Sequence, residues 1–199
     1  MTEVDALLDT AEDYARERLS DKRYAHSSRV ADVAERLARI HSLDPKRARL
    51  SALLHDTARE VDKEELVRVA EEEDLYMSDF EREWPILLHG PVAAELARRD
   101  LGVEDEEVRE AVRHHTTGGP GMGSLALALF VADKIEPART GPNVEELRDL
   151  AVEDLCQAAT AALEGSISYN ERRGHQTHPK SRETLYWLKN SDRSGGPEV

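Results

Sequence analysis

Apolar residues recur at spacings of three and four along nearly the whole chain, and that period constrains the fold more than any other feature. Leu7, Leu8, Ala11, Tyr14, Ala15 and Leu19 set it in the first segment, and only a helix gathers such positions on one face. The spacing predicts a first helix from about Val4 to Leu19. Ser20 is placed to cap a second helix with Tyr24, Ala31, Val33, Ala34, Leu37 and Ile40 as its apolar positions. Asp44-Pro45 reads as a cap followed by a first-turn proline, opening a third helix that runs through Leu54. Asp62 and Glu65 read as a capping box. Trp84-Pro85 breaks the chain, and Gly90-Pro91 opens another helix. A further helix from about Glu104 to His115 ends in the glycine- and proline-rich loop Thr116–Gly121. Ser124–Ile135 is the most apolar segment and is expected to be the buried central helix. Asn143 and Glu146 read as a second capping box, for one long helix through about Leu163, and His178-Pro179 marks the last start.

Composition agrees with a helical reading. Aromatic residues make up 5% of the chain, so its core must be built from Leu, Ala and Val, which suit helices better than sheets. With 199 residues the chain suits one domain. Residues 1–20 are read as an N-terminal helix packed on a domain over 21–190, and 191–199 (SDRSGGPEV) as a disordered tail. The fold class expected is a single all-α bundle. A formal net charge of −14 argues against nucleic-acid partners. No apolar run approaches the ~20 residues of a membrane-spanning helix, so no membrane partner is expected. Cys156 is the only cysteine, which leaves no intrachain disulfide or cysteine metal cluster. The acidic, amphipathic N-terminus is unlike a signal peptide, and a cytoplasmic location is expected. That amphipathic first helix is also a candidate surface for a homodimer.

The chemistry lies where polar residues interrupt apolar helices. His55 and Asp56 follow Leu50, Ala52, Leu53 and Leu54, and Asp133 closes the run Leu125–Ala132. A carboxylate near the core must be paired, hydrogen-bonded or bound to a metal. For Asp133 alone, an ion pair with Lys134 or Arg139 explains it as well as a metal does. His26, in RYAHSSRV a helix earlier, adds another imidazole. Imidazole and carboxylate without thiolate suit iron, manganese, zinc or nickel, and helix bundles build metal sites from such residues on facing helices.

The series His26…His55-Asp56…Asp133 resembles the HD-domain superfamily of metal-dependent phosphohydrolases. RYAHSSRV, LLHDTARE, LLHGPVAA, HHTTG, VADKIEPAR and HPKSRETLYWL follow the order and spacing of its YqeK family, the bacterial symmetrical bis(5′-nucleosyl)-tetraphosphatases. The resemblance covers about Arg23 to Leu188. It implies an all-α HD bundle with a metal site inside. The expected ligands are His26, His55, Asp56 and Asp133, around one or two divalent ions. Iron is the expected ion, with manganese, cobalt or zinc as alternatives. It implies a nucleotide substrate, diadenosine tetraphosphate, cleaved to two ADP by attack of a metal-activated hydroxide on a central phosphorus. Asp56 would orient the attacking water, and His89 or His115 would stabilise the transferring phosphoryl group. Arg23, Arg59, His89, Thr117, Gly118, Arg139 and His178 would face the nucleotide. Of the pair His114-His115, His115 is expected to turn inward.

Each residue also has a plainer explanation. His89 could be only a helix-start residue, His115 a partner for a helix C-terminus, and His178 a cap. Arg23 and Arg59 could be surface charges, although each lies three residues from a candidate ligand and so on the same helical face. It is the joint pattern that these explanations leave out. Rival functions are an HD phosphohydrolase acting on another nucleotide, and a non-hydrolytic nucleotide sensor.

Overall fold

The computed structural model describes residues 3–141 and 143–190, and the expected disordered tail lies outside the described residues. Among the described residues there is no strand. The helices run in chain order as α1 (Glu3–Arg18), α2 (Asp21–Ile40), α3 (Pro45–Leu54), α4 (Lys63–Glu72) and α5 (Asp79–Glu83). A 3-10 turn (Pro85–Leu88) leads into α6 (His89–Leu101), α7 (Glu106–His114), α8 (Ser124–Ile135), α9 (Val144–Glu153), α10 (Leu155–Arg173) and α11 (Pro179–Asn190). The fold is the expected all-α bundle.

Helix α8 has the predicted bounds and the predicted place. Leu125 through Asp133 are all buried, because a helix apolar on every side gains most when neighbours cover all of it. Those neighbours are α2, α3, α7, α9 and α10. Helix α1 lies against α3 and is pinned to α6, where Asp100 accepts hydrogen bonds from Tyr14 Oη (2.8 Å) and Arg18 Nη2 (2.9 Å).

The helix ends follow local chemistry, with three departures from the sequence reading. Asp44 caps α3 as predicted, its Oδ1 accepting from the backbone N–H groups of Lys46 (2.8 Å) and Arg47 (3.2 Å). Ser20 stands at the start of α2 without capping it, because its hydroxyl and its N–H both bind the Glu60 carboxylate. Neither Asp62 nor Asn143 makes a side-chain cap. The long helix expected after Asn143 is also broken in two. Asp154 adopts an extended backbone and accepts from the N–H groups of Cys156 (2.7 Å) and Gln157 (3.1 Å). The apolar period runs through this break undisturbed, so it left no trace in the pattern.

A capping box that went unread sits at Ser78, where Glu81 reaches back to the Ser78 N–H at 2.9 Å and also bonds its hydroxyl. The other Glu81 oxygen meets His178 Nε2 at 3.0 Å, tying α5 to the start of α11. Burial pushes this carboxyl up, but the Ser78 and His178 contacts prevail and hold it below the usual glutamate range. A depressed folded-state value means stability that is present above the unfolded value, about 4.3, and is lost as pH falls through the lower folded one. Glu81→Gln is therefore expected to cost about 1 kcal/mol at neutral pH, the scale of a lost cap. In chemical denaturation that deficit should shrink on acidification below about pH 4.

Candidate metal centre and its cleft

Three of the site histidines stand at helix ends for one reason. The last carbonyls of a helix lack partners further along it, and in each case an imidazole bonds one, at Ile86 sharing the oxygen with the His89 backbone N–H. His55 follows α3 and places Nδ1 2.6 Å from Ala52 O. His89 follows the 3-10 turn and places Nδ1 2.5 Å from Ile86 O. His115 follows α7 and places Nδ1 2.8 Å from Val112 O. A carbonyl can only accept, so each Nδ1 carries a proton, and in the neutral ring each Nε2 keeps a bare lone pair. His26, inside α2, reaches the same state by another route, its Nδ1 lying 3.1 Å from the Glu136 carboxylate.

All four lone pairs point at two buried carboxylates. His26 Nε2 is 3.1 Å from Asp133 Oδ1 and 4.0 Å from Asp56 Oδ2. Asp56 Oδ2 lies 3.5 Å from His55 Nε2, while its Oδ1 lies 3.3 Å from His89 Nε2 and 3.6 Å from His115 Nε2. The Nε2 atoms of His89 and His115 are 3.0 Å apart. The His55 Nε2 atom is buried and has no hydrogen-bond partner among the described residues. Two triads result, His26–His55–Asp56 and Asp56–His89–His115, each with ligand atoms within 4.8 Å of one another and with Asp56 in common. Acceptors facing acceptors repel, and a divalent cation turns every one of these contacts favourable. The donor set therefore fits a metal ion.

The electrostatics favour the ligand-ready protonation states. Burial pushes His55 and His115 down, His115 to about 4 against the pull of Asp56, so the His115 ring is neutral at neutral pH. Burial pushes the Asp133 carboxyl up, but the Lys134 ammonium first, with the Arg139 guanidinium beside it, outweighs that and keeps it ionised.

Above the carboxylates lies a cleft of about 340 Å³ walled by Arg23, Arg59, Lys134 and Arg139. Arg23 Nη1 meets Asp56 Oδ2 at 3.0 Å. Asp133 receives Lys134 Nζ at 2.6 Å and Arg139 Nη2 at 2.7 Å. This is a local cationic pocket in a chain of net charge −14. Gly90 lets α6 close on this centre, since a Cβ there would sit 3.1 Å from the carbonyls of Val112 and Arg113 and 3.3 Å from the His115 ring.

Of the residues singled out in the sequence, His26, His55, Asp56, His89, His115 and Asp133 converge on the cluster, and Arg23, Arg59 and Arg139 line the cleft. His115 is 3% exposed and faces the centre, while the His114 ring packs on Gly119. Thr117, Gly118 and His178 are not among the cleft-lining residues. Gly118, at φ +71°, faces Thr184, whose Cγ2 would lie 2.7 Å from an added Cβ. His178 uses both ring nitrogens, on Glu81 and on the Lys180 N–H. Three participants carried no assigned role in the sequence reading. Glu136 orients His26, Arg29 Nε holds Glu136 at 2.7 Å, and Thr116 Oγ1 lies 3.0 Å from His115 Nε2 and 3.2 Å from His89 Nε2. Spacing could have found two of them, because Arg29 and Glu136 each follow a site residue by three positions.

Residues 23–164 match the model of the HD domain family. The symmetrical bis(5′-nucleosyl)-tetraphosphatase of Bacillus subtilis (strain 168) is 35% identical over 173 residues, 87% of this chain and 92% of that protein. The proteins of the same name from Halalkalibacterium halodurans and Staphylococcus aureus are 36% and 38% identical. They cover 85% and 72% of this chain, and 90% and 74% of their own lengths. A crystal structure from Clostridium acetobutylicum, described as a predicted HD superfamily hydrolase involved in NAD metabolism, matches with a TM-score of 0.88 at 35% identity. It covers 91% of this chain and 96% of its own. No helix of this chain is long and apolar enough to cross a membrane among the described residues. With the family model matched from 23 to 164 and relatives at 35–38% identity, the chain belongs to the HD domain family, in the group formed by the symmetrical bis(5′-nucleosyl)-tetraphosphatases.

Proposed function

We propose that this protein is a divalent-metal-dependent hydrolase that splits diadenosine tetraphosphate symmetrically into two ADP, with iron as its resident ion. One observation carries the reading. Nitrogen and oxygen acceptors from six buried side chains converge on the floor of a cleft walled by four cationic ones. His26, His55, Asp56 and Asp133 would hold the ion, and the chemistry it supplies when bound is polarisation of a phosphoryl oxygen and a lowered pKa for water. The names of the relatives supply the substrate.

The chain's own groups do the rest. A polyphosphate repels an anionic nucleophile, and Arg23, Arg59, Lys134 and Arg139 offset that charge. Asp56 Oδ1, flanked by His89 and His115, would orient the attacking water. In the tautomer described above, the Nε2 atoms of His89 and His115 accept protons or bind a second ion rather than donate to a phosphoryl oxygen. Cleavage at the middle of the tetraphosphate requires an ADP half on each side of Asp56.

The test is an anaerobic hydrolysis assay on diadenosine tetraphosphate, with metal analysis of the same sample and chromatography of the products. ADP as the sole product is the expected result, with activity lost to a chelator and restored best by ferrous ion. AMP plus ATP would overturn the symmetrical cut. A metal-loaded protein that leaves the compound intact would overturn the substrate.

A further inference from the structure

We propose that the groove between α8, α9 and α10 seats one nucleoside of the dinucleoside substrate. This rests on the reading of the phosphate cleft given above. A cleft of about 340 Å³ is near the lower bound for a small-ligand pocket and cannot enclose a tetraphosphate with two nucleosides. The substrate must run on beyond it. A groove of about 680 Å³ adjoins the cleft, and Lys134 borders both. The Lys134 ammonium lies 2.6 Å from Asp133 Oδ2, so the groove begins within one side chain of the metal centre.

The groove has the chemistry a nucleoside needs. Val144 and Leu147 on α9 give an apolar wall, and Ala161 and Gly165 on α10 give a floor without bulk. Tyr169 is 50% exposed there with the Arg173 guanidinium 5.5 Å from its ring centre, a flat surface on which a base can stack. Glu146, at the same groove, is a carboxylate that ribose hydroxyls can donate to.

Gly165 is the independent observation. It lies inside α10, where glycine costs roughly 1 kcal/mol relative to alanine. Its backbone is helical, and a Cβ built on it would meet nothing within 4 Å. Neither conformation nor packing within the protein calls for glycine here. What its missing side chain keeps open is the groove itself, and close approach of a ligand is what that absence allows.

Gly165→Trp fills the groove from a position with free space around it. Gly165→Ala controls for the change at the backbone, and Tyr169→Ala removes the stacking face. Each variant would be assayed with diadenosine tetraphosphate and with adenosine 5′-tetraphosphate, which presents the same phosphates and one nucleoside. Gly165→Trp is expected to raise KM for the dinucleoside by about tenfold or more, with Tyr169→Ala moving it the same way, the scale of a lost stacked base. Gly165→Ala should leave it within about twofold, with a melting temperature equal to wild type or higher. A one-nucleoside substrate can leave the groove empty, so its KM in Gly165→Trp should move by no more than about twofold, the weight of one lost orientation of two. An unchanged dinucleoside KM in Gly165→Trp, or an equal loss on both substrates, overturns the proposal. Wild-type cleavage of the dinucleoside to ADP reports separately on the function itself. If that fails, calorimetric titration of diadenosine tetraphosphate into metal-loaded wild type and Gly165→Trp decides the groove, and equal affinities or no binding overturn it.

Discussion

Replacing Asp56 with asparagine is expected to lower kcat/KM on diadenosine tetraphosphate by on the order of 10³-fold or more, several kcal/mol of lost metal and water positioning. Helical circular dichroism should stay unchanged. Asp56 is the one side chain in both triads, with Oδ2 toward His26 and His55 and Oδ1 toward His89 and His115. An asparagine amide keeps the shape, but it replaces an anionic oxygen with a donor. That donor can satisfy an Nε2 lone pair, so the metal-free protein has no reason to lose its fold. The loss should therefore appear as metal content, with excess ion giving little recovery. The two triads also make the stoichiometry readable. His26 and His89 each belong to one triad, so His26→Gln and His89→Gln should differ in bound metal if two ions are held. If a single ion lies in the first triad, His89→Gln should keep it. An Asp56→Asn protein with wild-type turnover would remove the cluster from the mechanism.

The buried His/Asp cluster was legible because its members sit where a chain rarely puts them. His55-Asp56 and Asp133 end apolar runs, and burial of such groups requires an explanation that a surface residue does not. The central helix Ser124–Ile135 was legible for the same reason in reverse, as an unbroken apolar face on every side. Caps were less so. Asp44-Pro45 declared itself, because proline at the first helical position adds a second signal to the cap. Asp62–Glu65 and Asn143–Glu146 have the same spacing as a capping box and do not form one, while Ser78–Glu81 does. What decides between them is tertiary. Glu81 is buried against His178, just before α11, a partner 97 positions away that no local window contains. Gly118 and His178 show the same limit, since the loop motif HTTG and the His-Pro start are equally suited to packing and to ligand contact. The tautomers of the four histidines were wholly out of reach, because each depends on a carbonyl or carboxylate that only the folded helix ends bring to Nδ1.

Glu136 is where that hidden layer can be measured. Glu136→Gln is expected to weaken metal binding by about 10–100-fold, the range for an outer partner of a ligating histidine. Oε1 accepts from His26 Nδ1 at 3.1 Å, and Oε2 accepts from Arg29 Nε and the Ala138 N–H, both at 2.7 Å. Every partner is a donor, so a carboxylate satisfies all of them and an amide cannot. Whichever way the glutamine turns, its NH₂ faces a donor, either on Arg29 and Ala138 or on His26. In the second case His26 loses the partner that holds its proton on Nδ1, and Nε2 is no longer reserved for the metal. Burial pushes the Glu136 carboxyl up, but Arg29, Ala138 and His26 prevail and hold it at about 2. A folded value depressed that far contributes stability above the unfolded value, about 4.3, and loses it only as pH falls toward the folded one. The carboxylate is consequently ionised throughout the neutral range, and the metal deficit of Glu136→Gln should not vary between about pH 6 and 8 through this group. Activity titrated against added ion separates this variant from Asp56→Asn. Glu136→Gln should approach wild-type turnover once the ion is raised by the same 10–100-fold factor, because its ligands are all present and only their orientation is less well held. A metal requirement equal to wild type would mean that His26 keeps its tautomer without Glu136. A turnover deficit that saturating ion does not restore would put Glu136 in contact with the reaction rather than behind the ligand.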